Sequence, residues 1–349
     1  MKILILSDAW HPQVNGVVRT YENITEQLTL LGHDVKVVGP EDFPLRISMP
    51  SYPEIKLAIC PRIKLKKIIE AFAPDHIHIA VEGPIGWAGR AYCLKHKRPF
   101  TTSYHTQFPD YVAKRFAKHL KFLYPHIRKL GVKFVYRFHK PSSGIYVATQ
   151  SLEDELNSYN FPAPKIRLLR GVQYDIFGPE GETVLEDIPK PIALYVGRIS
   201  IEKNLKKFLD MKWEGSKVLV GDGPSMGELK KHDPKALFVG KKTGKELASY
   251  YRSSDIFVFP SKTDTFGIVL LEAFASGLPV AAYPVTGPID LITDDFLGTL
   301  DEDLSTAAER VMEEETPERK TQRLAHVRAN YSWPNVAQQF LSGFKDFYS

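Results

Sequence analysis

Short runs of apolar and β-branched residues alternate with segments of helical periodicity along the whole chain, which limits the folds that the sequence can adopt. Such alternation predicts parallel β-sheets whose faces are covered by helices. We therefore expect an α/β protein with two doubly wound parallel sheets, one in each half of the chain. The predicted strands are 2–6, 35–38, 76–80, 100–103 and 145–148 in the first half and 192–196, 217–220, 237–239, 256–259 and 280–282 in the second.

The two halves meet in a stretch that is rich in glycine, proline and acidic residues. A chain of 349 residues is long enough for two domains of roughly 150–200 residues. We predict a first domain over 1–178, a linker over 179–191 and a second domain over 192–332. The segment 333–349 has aromatic and aliphatic residues three and four positions apart, which predicts an amphipathic helix. That helix either packs back on the first domain or joins the core of the second.

Cysteine usage and hydropathy favour a cytoplasmic protein. Cys60 and Cys93 form no CxxC pair, so neither a disulfide framework nor a zinc site is expected. The first residues, MKILILSDAW, contain too short an apolar run for a signal peptide and predict a strand instead. No stretch reaches the ~18 uncharged apolar residues of a membrane-spanning helix. We expect no metal and no other cofactor.

Positive charge is concentrated in one segment of the first half. The net charge is +5, and the segment 111–140 holds nine lysines and arginines, no acidic residue and several aromatic residues. Because the excess is so confined, nucleic-acid binding is not expected. Cations and aromatic rings together suit the headgroup region of an anionic membrane, which predicts peripheral docking on its inner face. A solvated basic face with core aromatics has the same pattern. The predicted membrane-contacting residues are Lys114, Arg115, Lys118, Lys121, Arg128, Lys129 and Lys133.

Neither half carries the GxGxxG pattern of dinucleotide-binding domains, which disfavours a dehydrogenase. The first loop instead places Gly16 directly before a predicted helix, between Asn15 and Val17. Such a glycine admits close approach of a phosphate or a sugar to the helix N-terminus, but it is equally expected in an ordinary turn.

The second half has a more specific loop between its first strand and the following helix. Arg198 and Lys203 both lie in that loop, at the carboxyl edge of the predicted sheet, where doubly wound proteins bind ligands. A planar guanidinium and a compact ammonium suit a diphosphate, although the same charges occur in solvated loops. After the next two strands come Gly221, Gly240 and Lys241, where glycines either admit a flat ring or form tight turns.

The segment 260–273 predicts an anion-binding helix N-terminus. A helix is expected to begin near Phe266, and the backbone amides of its first turn would point at an anion. These amides belong to Phe266, Gly267, Ile268 and Val269. Asp264 lies in the preceding loop, and Glu272 lies within the apolar helix. A carboxylate in such a helix requires a partner, either ligand hydroxyls such as those of a ribose or an internal cation.

Taken in order, these motifs resemble those of the family-4 glycosyltransferases of the GT-B fold. The resemblance covers nearly the whole chain and implies two Rossmann-like domains that face a cleft, with a nucleotide-sugar donor bound there. The motifs that carry it are Asn15-Gly16-Val17, Ser103-Tyr104-His105-Thr106, Gly197-Arg198, Glu202-Lys203-Asn204, Gly221-Asp222-Gly223-Pro224 and the acid-x7-acid pattern from Asp264 to Glu272.

The resemblance also implies roles for individual residues. Arg198 and Lys203 would hold the diphosphate, and Glu272 would hold the ribose. The backbone of 266–269 would contact the sugar and phosphates, and Gly16 with its neighbour Val17 would approach the diphosphate from the first domain.

The resemblance further implies a retaining transfer that needs no metal, because cations and helix N-termini stabilise the leaving diphosphate. His105 would contact the transferred sugar near its anomeric carbon. Catalysis would then depend on His105, Arg198, Lys203 and Asp264.

One position departs from the family pattern, in which the first acid of the acid-x7-acid motif is usually Glu; here it is Asp264. The Thr-Asp-Thr-Phe-Gly form resembles sulfoquinovosyl-diacylglycerol synthases and bacterial α-mannosyl- or glucosyltransferases that act on lipids. It favours transfer of glucose or glucuronate from a UDP-sugar to a lipid such as diacylglycerol. The alternatives are α-mannosyl transfer from GDP-mannose and transfer to a soluble or polysaccharide acceptor. A sugar-nucleotide epimerase and a non-catalytic nucleotide-sugar binding protein are alternatives of another class.

Overall fold

The structure is a computed structural model that describes residues 1–13, 15–49, 52–105, 109 and 123–345, with the backbone alone at 49, 52–55 and 345. The chain divides into two compact units. The first unit comprises Met1–Arg170 and Trp333–Ser349, and the second comprises Gly171–Ser332. Each unit is built around one parallel sheet.

The described helices and strands follow one another in the order that the sequence predicts. As far as the end of the first sheet they are β1 (Lys2–Leu6), α1 (Gly16–Leu30), β2 (Asp34–Val38), β3 (Arg46–Met49), β4 (Tyr52–Ala58), α2 (Arg62–Phe72), β5 (His76–Ile79), α3 (Pro84–Lys95), β6 (Thr101–Tyr104), α4 (Tyr124–His139), β7 (Gly144–Val147), α5 (Gln150–Ser158) and β8 (Lys165–Arg167). The remaining elements are β9 (Ile192–Val196), α6 (Leu205–Asp210), β10 (Ser216–Val220), α7 (Met226–His232), β11 (Leu237–Gly240), α8 (Gly244–Ser253), β12 (Ile256–Phe259), α9 (Ile268–Ala275), β13 (Val280–Ala282), α10 (Pro288–Leu291), β14 (Gly298–Leu300), α11 (Leu304–Glu313), α12 (Pro317–Asn330) and α13 (Trp333–Lys345).

Both sheets are parallel, which confirms the predicted α/β class. The first sheet has the order β2-β1-β5-β6-β7-β8 and the second β11-β10-β9-β12-β13-β14, with six strands each among the described residues. In the second sheet β9 and β12 are buried along their whole length, as expected for strands covered on both faces. Every predicted strand is present, and its ends differ from the prediction by at most one residue.

Two features of the architecture were not predicted. The edge strands β8 and β14 are three residues long, too short to show a pattern in the sequence. The hairpin β3–β4 is antiparallel and lies outside both main sheets. In the part of the chain that the structure describes, no helix is both long and apolar enough to cross a bilayer.

Helix α13 packs on the first unit, which confirms one of the two predicted placements. Its buried side chains cluster with those of β1 and α1. The hydroxyl of Tyr146 donates a hydrogen bond to the carbonyl oxygen of Phe340 at 2.6 Å. A Cβ at Gly343 would lie 2.2 Å from that hydroxyl oxygen, so the glycine permits the close approach of α13 to β7. The packed side chains of α13 are Trp333, Val336, Phe340 and Phe344.

Residues 171–191, at which the sequence suggested the end of one domain and a linker, belong to the second unit. The guanidinium of Arg252, on α8, donates hydrogen bonds to the carbonyls of Ile176 and Glu182 at 3.2 and 3.1 Å. The backbone N–H of Val184 donates to the hydroxyl of Ser253 at 2.8 Å. These bonds fix the segment along α8, and composition alone gives no sign of them.

Candidate functional site

The second sheet brings two of the predicted motifs to one place. Strand β9 lies between β10 and β12, and the chain turns from one side of the sheet to the other at this point. The crevice outside the carboxyl ends of such a strand pair is where doubly wound sheets bind ligands. The loop after β9 contains Arg198 and Lys203, and the loop after β12 contains Asp264 and leads into α9. The order of the strands therefore makes these loops neighbours.

Side-chain contacts join the two loops directly. The ammonium of Lys203 lies 2.5 Å from Oδ1 of Asp264, and both side chains are about one quarter exposed, at 22% and 26%. The amide nitrogen of Asn204 donates to the carbonyl oxygen of Pro260 at 3.2 Å. Lys203, predicted to hold a diphosphate, is thus paired with the predicted catalytic acid.

Asp264 presents an oxygen that the protein leaves unsatisfied. Its Oδ2 atom is buried and has no hydrogen-bond partner among the described residues. Buried polar atoms are nearly always hydrogen-bonded, so each exception requires an explanation. A hydroxyl donor on a bound ligand would provide the missing partner, whereas the Oδ1 atom is already engaged by Lys203.

Arg198 lies at the exposed side of the same loop. The hydroxyl of Tyr195 donates to the backbone carbonyl of Arg198 at 3.0 Å, which fixes the turn while the guanidinium extends outward. An exposed, delocalised cation at the end of a parallel strand is suited to a bidentate contact with a phosphate.

Glycines allow the loops at this edge to pack backbone against backbone. A Cβ at Gly221 would lie 1.8 Å from the carbonyl oxygen of Gly197. The N–H of Gly221 also donates to the carbonyl of Gly240 at 2.8 Å. The tight-turn interpretation thus explains Gly221 directly, while its predicted contact with the donor stays a prediction. Around Gly240 a Cβ would meet nothing within 4 Å, and Lys241 beside it is exposed.

The N-terminus of α9 has the features of an anion-binding helix end. Its N-cap is Gly267, with φ 85°, and within the described chain no side chain caps the helix. Uncapped amides of a first turn, reinforced by the helix dipole, attract anions. Helix α9 begins at Ile268, two residues later than predicted. Gly287 allows the chain to approach the loop ahead of this helix closely, because a Cβ at Gly287 would lie 2.9 Å from the carbonyl oxygen of Asp264.

Glu272 is 3% exposed in the second turn of α9. Its Oε2 atom accepts a hydrogen bond from the hydroxyl of Tyr251, on α8, at 2.9 Å. The sequence left a ligand hydroxyl or an internal cation as the partner; the structure supplies the phenol of Tyr251, which orients the carboxylate.

At the first unit, the predicted contact near Gly16 is partly satisfied by the protein itself. The side chain of Asn15 caps α1 and accepts hydrogen bonds from the amides of Val17 and Val18, both at 3.0 Å. The amide of Val17, which was predicted to approach the donor, is therefore engaged inside the chain.

His105 follows β6 and lies between Arg170 and Tyr21. Its Nδ1 atom is 3.0 Å from Nη2 of Arg170, and its Nε2 atom is 3.5 Å from the hydroxyl of Tyr21. Because a guanidinium can only donate, Nδ1 must accept, and the ring is therefore neutral with its proton on Nε2. Burial and the charge of Arg170 together hold the pKa of His105 well below its usual range.

A buried network supports this arrangement. The hydroxyl of Tyr21 lies 2.7 Å from both Nε2 of His78 and the hydroxyl of Ser103. Arg170 itself is 6% exposed and donates to the carbonyls of Leu168 and Leu169 at 2.8 and 3.1 Å. Burial lowers the pKa of Arg170 to about 10, so the group remains charged at neutral pH.

Sequence reasoning overlooked three ionisable residues at the first edge, namely Arg170, Asp8 and Glu82. Asp8 directly follows β1, and its carboxylate accepts hydrogen bonds from the amides of Ile85 and Gly86 at the start of α3, at 3.0 and 3.1 Å. Glu82 follows β5 and lies 3.0 Å from Nε2 of the buried His139. For Asp8, a charged residue just after a mostly buried strand was the signal available in the sequence. Arg170 follows the half-buried β8 by three residues, so it had no such signal.

The predicted membrane segment is only partly described. Lys114, Arg115, Lys118 and Lys121 lie outside the described residues, as does Thr106. On α4, Arg128 donates to the hydroxyl of Tyr159 at 3.1 Å and packs on its ring, whereas Lys129 and Lys133 are exposed. Phe138 is fully buried, as the alternative of core aromatics expects.

Comparisons with known proteins agree with the fold and the motifs. Residues 14–172 match the family model Glycosyltransferase Family 4, and residues 183–325 match the model Glycosyl transferases group 1. A solved structure, sucrose-phosphate synthase from Thermosynechococcus elongatus, is similar with a TM-score of 0.77 at 20% identity over 99% of both chains.

Three characterised relatives are similar along most of the chain. A GDP-mannose-dependent α-mannosyltransferase of Mycobacterium tuberculosis is 26% identical over 99% of this chain and 96% of its own. A sulfoquinovosyl transferase of Arabidopsis thaliana is 31% identical over 81% of this chain and 55% of its own. An α-monoglucosyldiacylglycerol synthase of Streptococcus pneumoniae is 28% identical over 86% of this chain and 75% of its own.

Proposed function

Since the chain belongs to the GT-B glycosyltransferases that join a family-4 domain to a group-1 domain, we propose that it transfers a hexose from a nucleotide sugar to a membrane lipid. The preferred donor is UDP-glucose or UDP-glucuronate, and the preferred acceptor is diacylglycerol. The transfer retains the anomeric configuration and uses no metal.

The observation that carries the proposal is the pairing of Lys203 with Asp264 beside the uncapped start of α9. It places a cation, a half-satisfied carboxylate and helix amides at one strand end of the second unit. In the proposal, Arg198 and Lys203 bind the diphosphate, with the amides of Gly267 to Val269. The free oxygen of Asp264 accepts a sugar hydroxyl, and the Tyr251-oriented Glu272 binds the ribose.

The chemistry requires charge stabilisation more than proton abstraction. The bond between the anomeric carbon and the diphosphate oxygen breaks, and a bond from that carbon to the acceptor oxygen forms on the same face. The acceptor's proton passes to the departing phosphate oxygen. Preorganised cations and dipoles stabilise the charge that develops on the leaving group. His105 is neutral in the proposal, so near the sugar it contributes an uncharged imidazole rather than a cation.

The lipid acceptor is inferred from the relatives. One relative is, by its name, a synthase of α-monoglucosyldiacylglycerol, and the chain matches most of that protein's length. A peripheral position on the inner face of the membrane would bring such an acceptor to the enzyme. The α-mannosyltransferase, matched over nearly both full lengths, supports GDP-mannose as the second candidate donor.

The test is incubation of the purified protein with radiolabelled UDP-glucose, UDP-glucuronate or GDP-mannose and a total lipid extract, followed by thin-layer separation. We expect one donor to label a lipid and to do so equally in EDTA. Labelled product from GDP-mannose alone would select the second candidate. An epimer formed without acceptor would indicate an epimerase, and donor binding with neither transfer nor hydrolysis would indicate a binding protein.

A further inference from the structure

The hairpin β3–β4 presents an exposed apolar face. Leu45 and Ile47 are 62% and 58% exposed, and Ile59 is 44% exposed. Ile59 donates its N–H to the carbonyl of Leu45 at 2.9 Å, so the two residues lie on adjacent strands. Because side chains alternate along a strand, Leu45, Ile47 and Ile59 share one face. Ala58, paired with Arg46, lies on the opposite face and is buried in the core of the unit.

Helix α2 begins three residues after Ile59 and carries a further exposed aliphatic side chain. Ile63, in its first turn, is 77% exposed, while Leu65 and Ile69 on the other side of the helix are buried. We refer to Leu45, Ile47, Ile59 and Ile63 together as the hairpin patch. Clustered exposed aliphatic side chains of this kind mark interaction sites rather than ordinary surface.

Exposed cations lie beside Ile63 on α2. Arg62, Lys64 and Lys67 are exposed on α2 and make no ion pair among the described residues. The acidic groups nearby are few: Glu70 lies 3.6 Å from Lys66, and Glu41 lies 3.6 Å from Arg46. An apolar surface with a rim of unpaired cations is complementary to an anionic lipid bilayer, where lysine stems and aliphatic side chains enter the headgroup region.

We propose that the hairpin patch and the cations of α2 dock the first unit on an anionic membrane. The proposal names the membrane contact of the lipid transfer proposed above and rests on that function for its purpose. Docking itself requires neither donor nor acceptor, so it can be measured separately.

A second copy of the chain suits the same surface poorly. In a two-fold symmetric dimer each patch faces itself, so the cations of α2 would be placed against the same cations of the other copy. A stable protein interface also buries about 800 Å² on each partner, more than four partly exposed aliphatic side chains provide.

The described part of the basic segment offers a matched comparison on the same unit. On α4, Leu130 is 68% exposed and Phe134 is 36% exposed, with Lys129 and Lys133 beside them. Leu130 therefore resembles Ile63 in exposure and in neighbouring charge, but it lies on α4, outside the hairpin patch. Substitutions at the two positions test the two surfaces against each other.

The chain supplies its own reporter. Cys60 is exposed between Ile59 and α2, whereas Cys93 is buried, and burial raises the pKa of the Cys93 thiol to about 12. A thiol-reactive, environment-sensitive fluorophore will therefore label Cys60 of the otherwise unaltered protein. We expect a blue shift with vesicles of phosphatidylcholine and phosphatidylglycerol, and none with phosphatidylcholine alone. Equal responses to both vesicles, or no response to either, would overturn the proposal.

Variants locate the contact through unlabelled vesicle sedimentation. Ile63→Ser should weaken binding to anionic vesicles about tenfold, because it removes aliphatic atoms that become buried when the protein docks on the membrane. The pair Lys64→Gln and Lys67→Gln should weaken it about 25-fold, at roughly fivefold for each cation. Leu130→Ser should leave binding unchanged. Equal losses at Ile63 and Leu130 would mean that the hairpin patch is not the specific membrane contact, and a dimer that Ile63→Ser dissociates would assign the patch to a second copy of the chain; either result would overturn the proposal.

Transfer to a short-chain diacylglycerol without vesicles separates this proposal from the proposed function. The patch variants should retain that activity in full. If vesicle binding is absent while transfer proceeds, only the docking proposal is wrong. If the protein binds anionic vesicles yet transfers sugar to no lipid, only the proposed function is wrong.

Discussion

The two parallel sheets have similar architecture, but the polar groups at their carboxyl edges are hydrogen-bonded within the protein to different degrees. At the second edge Arg198 is exposed, α9 has no side-chain cap, and Asp264 keeps a buried oxygen without a protein partner. At the first edge Asn15 caps α1, and Asp8 accepts two amide hydrogen bonds from α3.

The difference separates a binding edge from a positioning edge. An exposed cation, uncapped helix amides and an unsatisfied carboxylate oxygen leave free energy to be gained from a ligand, whereas internally bonded groups hold their neighbours in place. We therefore expect changes at the second edge to lower activity with little effect on stability. Changes at the first edge should alter stability and pH dependence. Each of the following predictions tests that difference between the two edges.

The largest effect is expected from the double variant Arg198→Ala, Lys203→Ala. Each cation makes charge-assisted contacts worth about 1.5–3 kcal/mol, so kcat/KM should fall by about 10³-fold or more. The melting temperature should change little, because Arg198 is exposed and Lys203 contributes only a partly exposed ion pair. Steady-state kinetics with the preferred donor and thermal unfolding give the two readouts.

The control for that variant is Lys206→Ala, Lys207→Ala on α6, which removes the same charge outside the site. Lys206 is paired with Glu228 at 2.6 Å on the surface, so activity should be retained. Near-normal kcat/KM in the Arg198 and Lys203 variant would refute the diphosphate assignment and, with it, the binding role of the second edge.

Asp8 provides the corresponding test of the first edge. Burial raises its pKa from 3.8 to about 6, with a smaller contribution from Glu82. The folded protein therefore binds the proton more tightly than the unfolded chain, and the free energy of unfolding falls as pH rises through this window. About two pKa units correspond to about 3 kcal/mol, present below pH ~4 and lost above pH ~6.

The variant Asp8→Asn cannot titrate and should lack this decline. Urea unfolding at the two ends of the window should therefore show that the difference in free energy between wild type and variant changes by about 3 kcal/mol. The lost amide contact in the variant is the same at both pH values. Parallel pH profiles for the two proteins would mean that Asp8 is not the buried acid that the structure describes.

A smaller effect is expected at Glu272, where the contrast between the edges is least sharp because the carboxylate is buried and bonded to Tyr251. Glu272→Ala should raise the donor KM about 30-fold, since hydrogen bonds to a charged group contribute about 1.5–3 kcal/mol. Tyr251→Phe should raise it only about threefold, through loss of orientation. If Glu272→Ala lowers the melting temperature and leaves KM unchanged, the carboxylate serves the fold instead.

The sequence predicted ten of the strands, the loops at the carboxyl edge of the second sheet and helix α13, because each depends on local pattern, but it left open on which unit that helix packs. It did not predict contacts between distant residues. The pairing of Lys203 with Asp264 joins residues 61 apart, and Arg170 meets His105 across 65 residues. Periodicity in the sequence indicates which residues are buried, but it does not show which loops lie next to each other in the fold.

The hairpin patch was missed for a related reason. Its apolar residues were compatible with an inward-facing strand, and only the pairing of β3 with β4 shows that Leu45 and Ile47 face outward. The basic segment, by contrast, was conspicuous in composition. In its described part, the structure bonds Arg128 to Tyr159 and buries Phe138, two features that a count of charges and rings cannot reveal.

The smallest effect predicted at an ionisable residue concerns Arg170, which in the proposal acts on the sugar only through His105. Its guanidinium donates to Nδ1 of His105 and so keeps the ring neutral, with Nε2 protonated. Arg170→Gln should lower kcat about tenfold, because an imidazole that is free to change tautomer is oriented less well. Burial, the charge of Arg170 and that of His139 lower the pKa of His105, so Arg170→Gln should also raise that pKa.

The pH profile of kcat distinguishes positioning from simple support of the fold. In Arg170→Gln the acid limb should move to higher pH, whereas Arg170→Lys, which keeps the charge, should leave the limb in place. The same shift should disappear when Arg170→Gln is combined with His105→Asn, since no imidazole then remains to titrate. A shift that persists without the imidazole, or a loss of kcat with an unchanged limb, would mean that Arg170 does not act through His105. The first edge would then be structural throughout.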